Sequence, residues 1–152
     1  MDGIRYIHTN LVARDWKALA DFYIGAFGCV PVPPERHLRG PWVETLTGLK
    51  DARIDGVHLA LPGFPAGGPT LEIFSYDPAF LRQAPVEVYR QGIGHLAFHV
   101  DEVQAVLDQV LVLGGSALGP VVRRQYENLG LLTVVYARDP EGNHIEIQNW
   151  KR

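Results

Sequence analysis

Apolar and polar residues first alternate and then take helical spacing near the start of the chain. The segment YIHTNLVA alternates as a half-buried strand does, so successive side chains point to opposite faces. Apolar residues then recur at helical spacing over 16–27, behind Asp15, which suits an N-cap or a first-turn acid. Gly28 is well placed to end this helix. The pattern predicts a strand followed by a capped helix.

The same order of patterns returns in the second half of the chain. GHLAFHV alternates, Asp101 takes the place of the cap, and apolar residues recur at helical spacing over 103–113, before the glycines at 114–115. His95 follows His8 by 87 residues, and the two aspartates are 86 residues apart. The chain therefore contains an internal repeat.

Each half continues in short strand-like segments. These are VHLALPG and PTLEIFSY in the first half, and LLTVVYA and HIEIQNW in the second, where DPEGN suits a type I turn and predicts a hairpin. The predicted fold class is α+β, with two tandem βαβββ modules at about 4–76 and 92–150 and a connector over 75–91. We expect both modules to lie in one domain of residues 1–152.

The first half is the longer one, because Glu146 follows Glu72 by only 74 residues, whereas the two first strands are 87 apart. The excess is assigned to residues 31–56, which are rich in Pro and Gly and weakly periodic. We expect a long irregular segment there. Long irregular segments in compact domains often form lids or binding loops.

Composition limits the classes of function. A chain of 152 residues that is 47% hydrophobic and 20% charged is typical of one compact soluble domain. A net charge of −3 and the lack of a basic run argue against nucleic-acid binding. No apolar stretch is long enough to span a bilayer and no signal peptide is recognised, so no membrane partner is expected. The single Cys29 fits a reducing compartment, and a cytoplasmic location is expected.

The repeat places a histidine on the first strand and a glutamate on the last strand of each half. The four residues are His8, Glu72, His95 and Glu146. If the modules pair about a pseudo-twofold axis, these side chains converge in one cleft, and two imidazoles with two carboxylates suit a divalent transition metal. A single strand histidine is more often a hydrogen-bonded core or surface residue, and a glutamate between isoleucines usually marks a solvated face. Recurrence at matched positions in both halves raises support for a metal site, and on the repeat alone the metal site and these alternatives both stay open.

Other polar residues share these strand faces. His99 lies on the same face as His95, and it is interpreted either as a partner of ligands or substrate or as a histidine hydrogen-bonded at the cleft edge. Asn10 and Gln148 share faces with His8 and Glu146 and are candidates for similar contacts. His58 and His144 are interpreted as structural. His37, in the long loop, is interpreted as solvent-exposed, with a role in a lid as the alternative.

Almost the whole chain resembles the vicinal oxygen chelate superfamily, which includes glyoxalase I, fosfomycin-resistance and extradiol dioxygenase proteins. The resemblance rests on IHTNLVARDWKALADFYIGAFG, LEIF, GIGHLAFHVDEVQAVLDQVLVLGG and VVYARDPEGNHIEIQ. It implies paired βαβββ modules that form a curved mixed sheet around a metal cleft, often in a homodimer. It also implies that a divalent ion (nickel, cobalt, manganese, iron or zinc) is held by His8, Glu72, His95 and Glu146.

The ligand set separates the branches of this superfamily. Fosfomycin-resistance and dioxygenase proteins look like three-ligand His, His, Glu sites, and bleomycin-resistance relatives bind without these metal groups. Bacterial glyoxalase I uses His, Glu, His, Glu, and methylmalonyl-CoA epimerase is similar but has Gln where this chain has Glu72. The resemblance thus implies a metal-dependent lyase or isomerase of glyoxalase I or epimerase type.

Such an enzyme removes a proton next to a metal-bound carbonyl of a small-molecule substrate, with Glu72 and Glu146 as the catalytic carboxylates. The segment 31–56 shows no arrangement that matches a glutathione-binding set, which leaves the substrate open. One alternative is a metal-dependent dioxygenase or a small-molecule (antibiotic) resistance protein on the same fold. A weaker one is a binding protein whose metal is vestigial or absent.

Overall fold

The computed structural model describes residues 3–80 and 86–152. These divide into two compact units, the first made of 3–24 and 28–80 and the second of 25–27 and 86–152. The elements in chain order are β1 (His8–Val12), α1 (Trp16–Phe27), β2 (Val30–Leu38), α2 (Pro41–Thr47), β3 (Arg53–Ala60), β4 (Thr70–Asp77), β5 (Leu96–His99), α3 (Val103–Val112), β6 (Ser116–Ala117), β7 (Val122–Tyr126), β8 (Gly130–Arg138) and β9 (His144–Lys151). None of the helices within the described ranges is long and apolar enough to cross a bilayer.

The first unit contains a four-stranded mixed sheet in the order β1-β4-β3-β2. β1 runs parallel to β4, and the other neighbours are antiparallel. Leu71 and Ile73 of β4 are buried together with Leu19 and Tyr23 of α1. As predicted, the helix begins after Asp15, whose side chain accepts hydrogen bonds from two first-turn N–H groups, and it ends at Gly28 in the left-handed conformation.

The sheet of the second unit has the same arrangement, in the order β5-β9-β8-β6, with β7 also paired to β8. β5 runs parallel to β9, as β1 does to β4. β6 and β7 are two short pieces that both pair with β8, where the first unit has the single strand β2. Each unit is therefore a βαβββ module, and the predicted α+β class with tandem modules is confirmed.

The second helix departs from the prediction at its start. Its N-cap is Glu102 and not Asp101, and the Glu102 side chain makes no capping hydrogen bond. The helix ends as the glycines indicate, because the N–H of Gly114 donates to the carbonyl of Leu111 and that of Gly115 to Val110. The cap prediction at Asp101 was wrong by one residue, since the chain stays extended through Glu102.

The segment 31–56 is not irregular, which corrects the prediction. It contains most of β2, the whole of α2 and the start of β3. The helix α2 begins after Gly40 with Pro41 in its first turn, and Val43 packs it onto Ile54 and Phe74. The excess length of the first module is thus mainly an inserted helix between two paired strands.

The predicted hairpin between the last two strands is confirmed. Asp139 is buried, and its carboxylate accepts hydrogen bonds from the N–H groups of Glu141 and Asn143, both at 2.9 Å, and from the Asn143 side chain at 2.8 Å. The connector starts later than expected, because residues 75–77 belong to β4. Its positions 81–85 lie outside the described residues.

Candidate functional site

The first candidate cluster is centred on Glu72 of β4. Pairing with β1 and β3 places Asn10 and His58 on either side of Glu72 in one row across the sheet. Its Oε2 atom lies 3.3 Å from Nε2 of His8 and accepts a hydrogen bond from the Asn10 amide at 3.4 Å. Its Oε1 atom lies 3.0 Å from Nε2 of His58. We call His8, Asn10, His58 and Glu72 the first cluster.

Strand alternation explains why a carboxylate occupies this position. The neighbours Leu71 and Ile73 point into the core, so Glu72 points to the opposite face, where only 10% of its side chain is exposed. A carboxylate this well buried requires hydrogen-bonding partners, and the first cluster supplies three. Burial lowers the pKa of His58, and the negative charge of Glu72 opposes that shift. The sequence therefore builds a dense polar contact on one side of an apolar strand.

His58 is the residue of this cluster that sequence reasoning missed. Interpreted as structural, it turns out to contact the carboxylate directly, and its Nδ1 atom lies 3.3 Å from the hydroxyl oxygen of Thr70. The signal was present in the strand pattern, because a hairpin of β3 and β4 brings His58 opposite Glu72. No histidine occupies the matching position of the second module, so the repeat did not reveal it.

The second candidate cluster is centred on Glu146 of β9. Its Oε2 atom lies 3.4 Å from Nε2 of His95, which directly precedes β5. Tyr136 of β8 pairs with Glu146 across the sheet, and its hydroxyl donates a hydrogen bond to the carboxylate. Burial and the charge of Glu146 raise the pKa of Tyr136. We call His95, Tyr136 and Glu146 the second cluster, in which the Glu146 side chain is 18% exposed.

Three further candidate residues are Asn10, His99 and Gln148. Asn10 belongs to the first cluster, and the other two lie one row beyond Glu146 in the second sheet. Asn10 contacts Glu72, as described above. His99 is exposed and pairs in register with Gln148, two residues beyond Glu146. The side-chain oxygen of Gln148 accepts a hydrogen bond from the Trp150 indole at 2.8 Å. Roles for His99 and Gln148 towards substrate stay predictions.

The two other histidines have partners of their own. His37 is exposed, but it belongs to β2 and not to a loop, and its Nδ1 atom lies 2.6 Å from Asp55. The hydrogen bond from His37 is the main cause that lowers the pKa of Asp55, and Arg39 adds to it. His144 is buried and accepts a hydrogen bond from Arg138 at 3.4 Å. Neither histidine joins a cluster.

The donor atoms of both clusters fit a divalent metal ion in chemistry and in spacing. Ligands about 2.1 Å from one metal lie about 3.0 to 3.4 Å apart at octahedral or tetrahedral angles. The nitrogen and oxygen atoms of the two His–Glu pairs are 3.3 and 3.4 Å apart. Within residues 3–80 and 86–152, no group of three or more His, Cys, Asp or Glu side chains is gathered for a metal. Each pair thus offers two neighbouring ligands, and their convergence in one cleft stays a prediction.

A pocket of about 550 Å³ adjoins the second cluster. Tyr136 and Glu146 lie in its lining, and the rest of the lining is apolar: Val88, Leu118, Pro120, Val122, Leu132 and Val134 with parts of Gly119 and Val135. A second pocket, of about 490 Å³, is lined by Arg123, Thr133 and Asn149 among others. Strand alternation places those residues on the opposite face of the same sheet, so this second pocket is separate from the cluster.

Comparison with known proteins agrees with this fold. A family model described as the Glyoxalase/Bleomycin resistance protein/Dioxygenase superfamily matches residues 5–147. A glyoxalase family protein from Bacillus cereus has a similar structure, with a TM-score of 0.77 and 18% identity over 100% of this chain and 96% of that one. A glyoxylase/bleomycin resistance protein/dioxygenase domain from Frankia sp. gives a TM-score of 0.58 and 17% identity over 100% and 94%.

TioX from Micromonospora sp. gives a TM-score of 0.53 and 16% identity, over 97% of this chain and 99% of TioX. No curated protein shows a significant match to the chain. At these identities the solved structures support the fold, and the family model supports the superfamily.

Proposed function

We propose, because the chain belongs to the Glyoxalase/Bleomycin resistance protein/Dioxygenase superfamily, that it is a divalent-metal-dependent lyase or isomerase of glyoxalase I or epimerase type. The observation that carries the proposal is the repeated His–Glu pair, at 3.3 Å in the first module and 3.4 Å in the second. The superfamily contains enzymes as well as resistance proteins that only bind their ligand. Imidazole nitrogens and carboxylate oxygens are the donor types that a divalent transition metal takes, and both modules present one of each.

The residues that would hold the metal are His8, Glu72, His95 and Glu146. Their nitrogen and oxygen donors accept nickel, cobalt, manganese, iron or zinc. When bound, the ion supplies Lewis acidity at the carbonyl oxygen of a small substrate, which acidifies the neighbouring C–H bond. The protein contributes the groups that move the proton.

The two glutamates are the catalytic carboxylates of this proposal. Glu146 has Tyr136 and His95 as partners and is the more exposed carboxylate, so it can reach a substrate carbon. It takes the proton from the carbon next to the carbonyl, and the proton is returned to the adjacent carbon or to the opposite face. Glu72, held by three side chains, serves the other side of the substrate.

The proposal extends to the assembly and the setting of the protein. We infer a homodimer, as the family resemblance implies, with a small-molecule substrate as the other partner. We infer a cytoplasmic location, because the single Cys29 has no second cysteine in the sequence with which to form an internal disulfide. Separately, burial raises the pKa of the Cys29 thiol to about 11. A thiol with so high a pKa is poorly reactive at neutral pH.

Metal analysis followed by proton exchange tests the proposed function. Purified protein is expected to bind a divalent ion and to exchange deuterium from heavy water into the methylglyoxal–glutathione adduct or methylmalonyl-CoA, next to the carbonyl. The E146Q variant is expected to lose about 10²- to 10⁴-fold in turnover and to retain metal more weakly. E127Q, a change of the same kind in the turn before β8, is the matched control and keeps both properties.

Unchanged turnover and metal content in E146Q would remove this mechanism. Oxygen consumption by the iron-loaded protein, without proton exchange, would support a dioxygenase in its place.

A further inference from the structure

The pocket beside the second cluster has an apolar wall on the same sheet face as Glu146. Glu146 pairs with Tyr136, and the next row of that face is formed by Val122, Val134 and Gln148. Successive rows on one face are two residues apart, or roughly 7 Å. The wall therefore begins about one row from the carboxylate that the proposed function uses.

The lining of this pocket is mostly apolar, and the charged side chain in it is the acidic Glu146. Tyr136 and Glu146 are the polar side chains of the pocket, and no Lys or Arg side chain takes part in its lining within the described part of the chain. An anionic group against the apolar part of this lining would lose its hydration with no Lys or Arg side chain of the lining to pair with it, which is unfavourable in a partly desolvated site. An uncharged apolar group would instead displace water from aliphatic side chains and gain about 25 cal/mol for each Å² of apolar surface removed from water.

Two contacts connect the segments of the wall to strand β8. The N–H of Leu118 donates a hydrogen bond of 2.9 Å to the carbonyl of Tyr136, which fixes the segment between β6 and β7 against β8. On the rim, Val88 follows Glu87, whose carboxylate lies 3.9 Å from the guanidinium of Arg138. Pockets of about 300 to 1,000 Å³ that are mostly apolar with a few polar groups are typical small-molecule sites.

In the first module, the matching row of the sheet face is filled by a buried side chain. The row equivalent to Val122, Val134 and Gln148 consists of Arg36, Gly56 and Phe74. The Phe74 ring lies so close over Gly56 that an added Cβ would be 2.3 Å from Cδ1 of the ring. Val43 of α2 covers this ring. The second module has no helix at the position of α2, and its face is left open.

We propose that this pocket receives an uncharged apolar group of the substrate, an aryl or branched alkyl substituent, while an oxygen atom of the substrate faces Tyr136 and Glu146. The substrate class is then a small α-oxygenated ketone or aldehyde with an apolar substituent, and not a compound whose anionic moiety enters the pocket. The assignment rests on the proposed function for the role of Glu146, and it goes further by naming what the site selects.

Binding of three small probes tests the assignment without relying on turnover. NMR titration of the metal-free protein, in the presence of a chelator, compares 2-hydroxyacetophenone, hydroxyacetone and glycolate, which share two neighbouring oxygens but carry a phenyl group, a methyl group and a negative charge. We expect 2-hydroxyacetophenone to bind at least tenfold more tightly than hydroxyacetone, and glycolate to bind most weakly.

Pocket variants locate that selectivity. V134F fills the pocket from the sheet and should weaken binding of 2-hydroxyacetophenone at least tenfold, with hydroxyacetone changed by less than about twofold. V122F narrows the same wall at a half-exposed position, so it serves if V134F does not fold. V112F makes the same change at the exposed end of α3 and should bind all three probes as the unmodified protein does.

The assignment is overturned if the phenyl and methyl probes bind equally, if glycolate binds most tightly, or if the preference survives in both pocket variants. Deuterium exchange at the CH2 group of 2-hydroxyacetophenone separates this result from the proposed function. A phenyl preference without exchange supports the pocket and contradicts the reaction. Exchange without a phenyl preference contradicts the pocket and supports the reaction.

Discussion

The two modules place a glutamate at the same point of the same strand pattern, yet they surround it differently. Glu72 is flanked in its row by Asn10 and His58, and Glu146 by Ala97 and Tyr136. The first carboxylate is held at both oxygens, and the second has an adjoining pocket. Both modules therefore have the His–Glu pair, and they differ in the residues that flank each glutamate in its row.

The difference continues one row further along the two sheets. In the first module Phe74 and α2 fill the face, and in the second module the pocket occupies it. A filled face can hold a ligand residue rigidly, because packed side chains leave few alternative rotamers. An open face can admit a substrate. We infer that one module mainly fixes a ligand carboxylate and that the other mainly receives the substrate.

The largest expected effect is the replacement of Gly56 by Ala. The added methyl group would lie 2.2 Å from the carbonyl oxygen of Ile73 and 2.9 Å from Cα of Phe74, so backbone has to move. G56A should lower the free energy of unfolding by about 3 kcal/mol. V134A, the equivalent position, should cost only about 1 kcal/mol, because Val134 borders a pocket.

Urea unfolding measures both variants, with G119A as the control, since a Cβ at Gly119 meets nothing within 4 Å. A cost for G56A no larger than that for V134A would show that the face of the first module is not tightly filled.

The next largest effect concerns the partners of the two carboxylates. H58F removes the imidazole from Oε1 of Glu72 and should weaken metal binding about 10- to 100-fold, as is usual for residues that orient a ligand. Y136F should weaken it by less than about fivefold, because Tyr136 is 38% exposed and water can replace its hydroxyl. Competition with a chelator measures the affinities.

H58Q restores a hydrogen-bond donor near Glu72 and should recover most of the affinity, whereas H37Q removes an exposed histidine of the same unit and should change nothing. Equal losses in H58F and Y136F would contradict the distinction between a fixed and an accessible carboxylate.

The smallest effect concerns the residue that joins the last strand to the helix start in each module. The Ser75 hydroxyl donates to the carbonyl of Ala13 at 2.9 Å and accepts from the N–H of Trp16 at 3.2 Å. Asn149 is its equivalent, and its Nδ2 atom donates to the carbonyl of Val100 at 2.6 Å. The Oδ1 atom of Asn149 is buried without a partner within the described residues.

S75A should lower the free energy of unfolding by about 1 kcal/mol, and N149A by about 1 to 2 kcal/mol, because each removes the side-chain partner of a backbone carbonyl group. N149S should cost about 1 kcal/mol less than N149A, since a serine can make both bonds that Ser75 makes. Thermal and urea unfolding decide this, and N149S as unstable as N149A would show that the two junctions are not equivalent.

Local chemistry made much of the fold predictable from the sequence. Asp15 and Gly28 set the ends of α1, and Asp139 with Gly142 sets the last hairpin, because each of these signals acts within a few residues. Asp101 was misread because the cap is the last residue that keeps an extended backbone before the helix, and here that residue is Glu102. The pattern of residue types does not report where the backbone changes conformation.

Neither the inserted helix α2 nor the contact of His58 with Glu72 could be predicted from such local signals. α2 has seven residues and one buried side chain, Val43, so it shows no readable period, and its stability comes from contact with Phe74 and Ile54. His58 lacks a counterpart because Tyr136 occupies its place, and a search for repeated residues passes over a partner that differs. Both features depend on contacts between neighbouring elements of the fold, and the order of residues within one element does not reveal such contacts.

The outer strand of the first sheet also bears on how chains meet each other. β2 carries prolines at 31, 33 and 34, none of which has an N–H group, and its register with β3 shifts between Val32 and Arg36. A strand of another chain that paired with β2 would lack backbone N–H donors at the prolines, and the register shift makes this edge irregular. Both features disfavour fibril-like stacking and a continuous intermolecular sheet at this edge, so the proposed homodimer is expected to form through side chains of another surface.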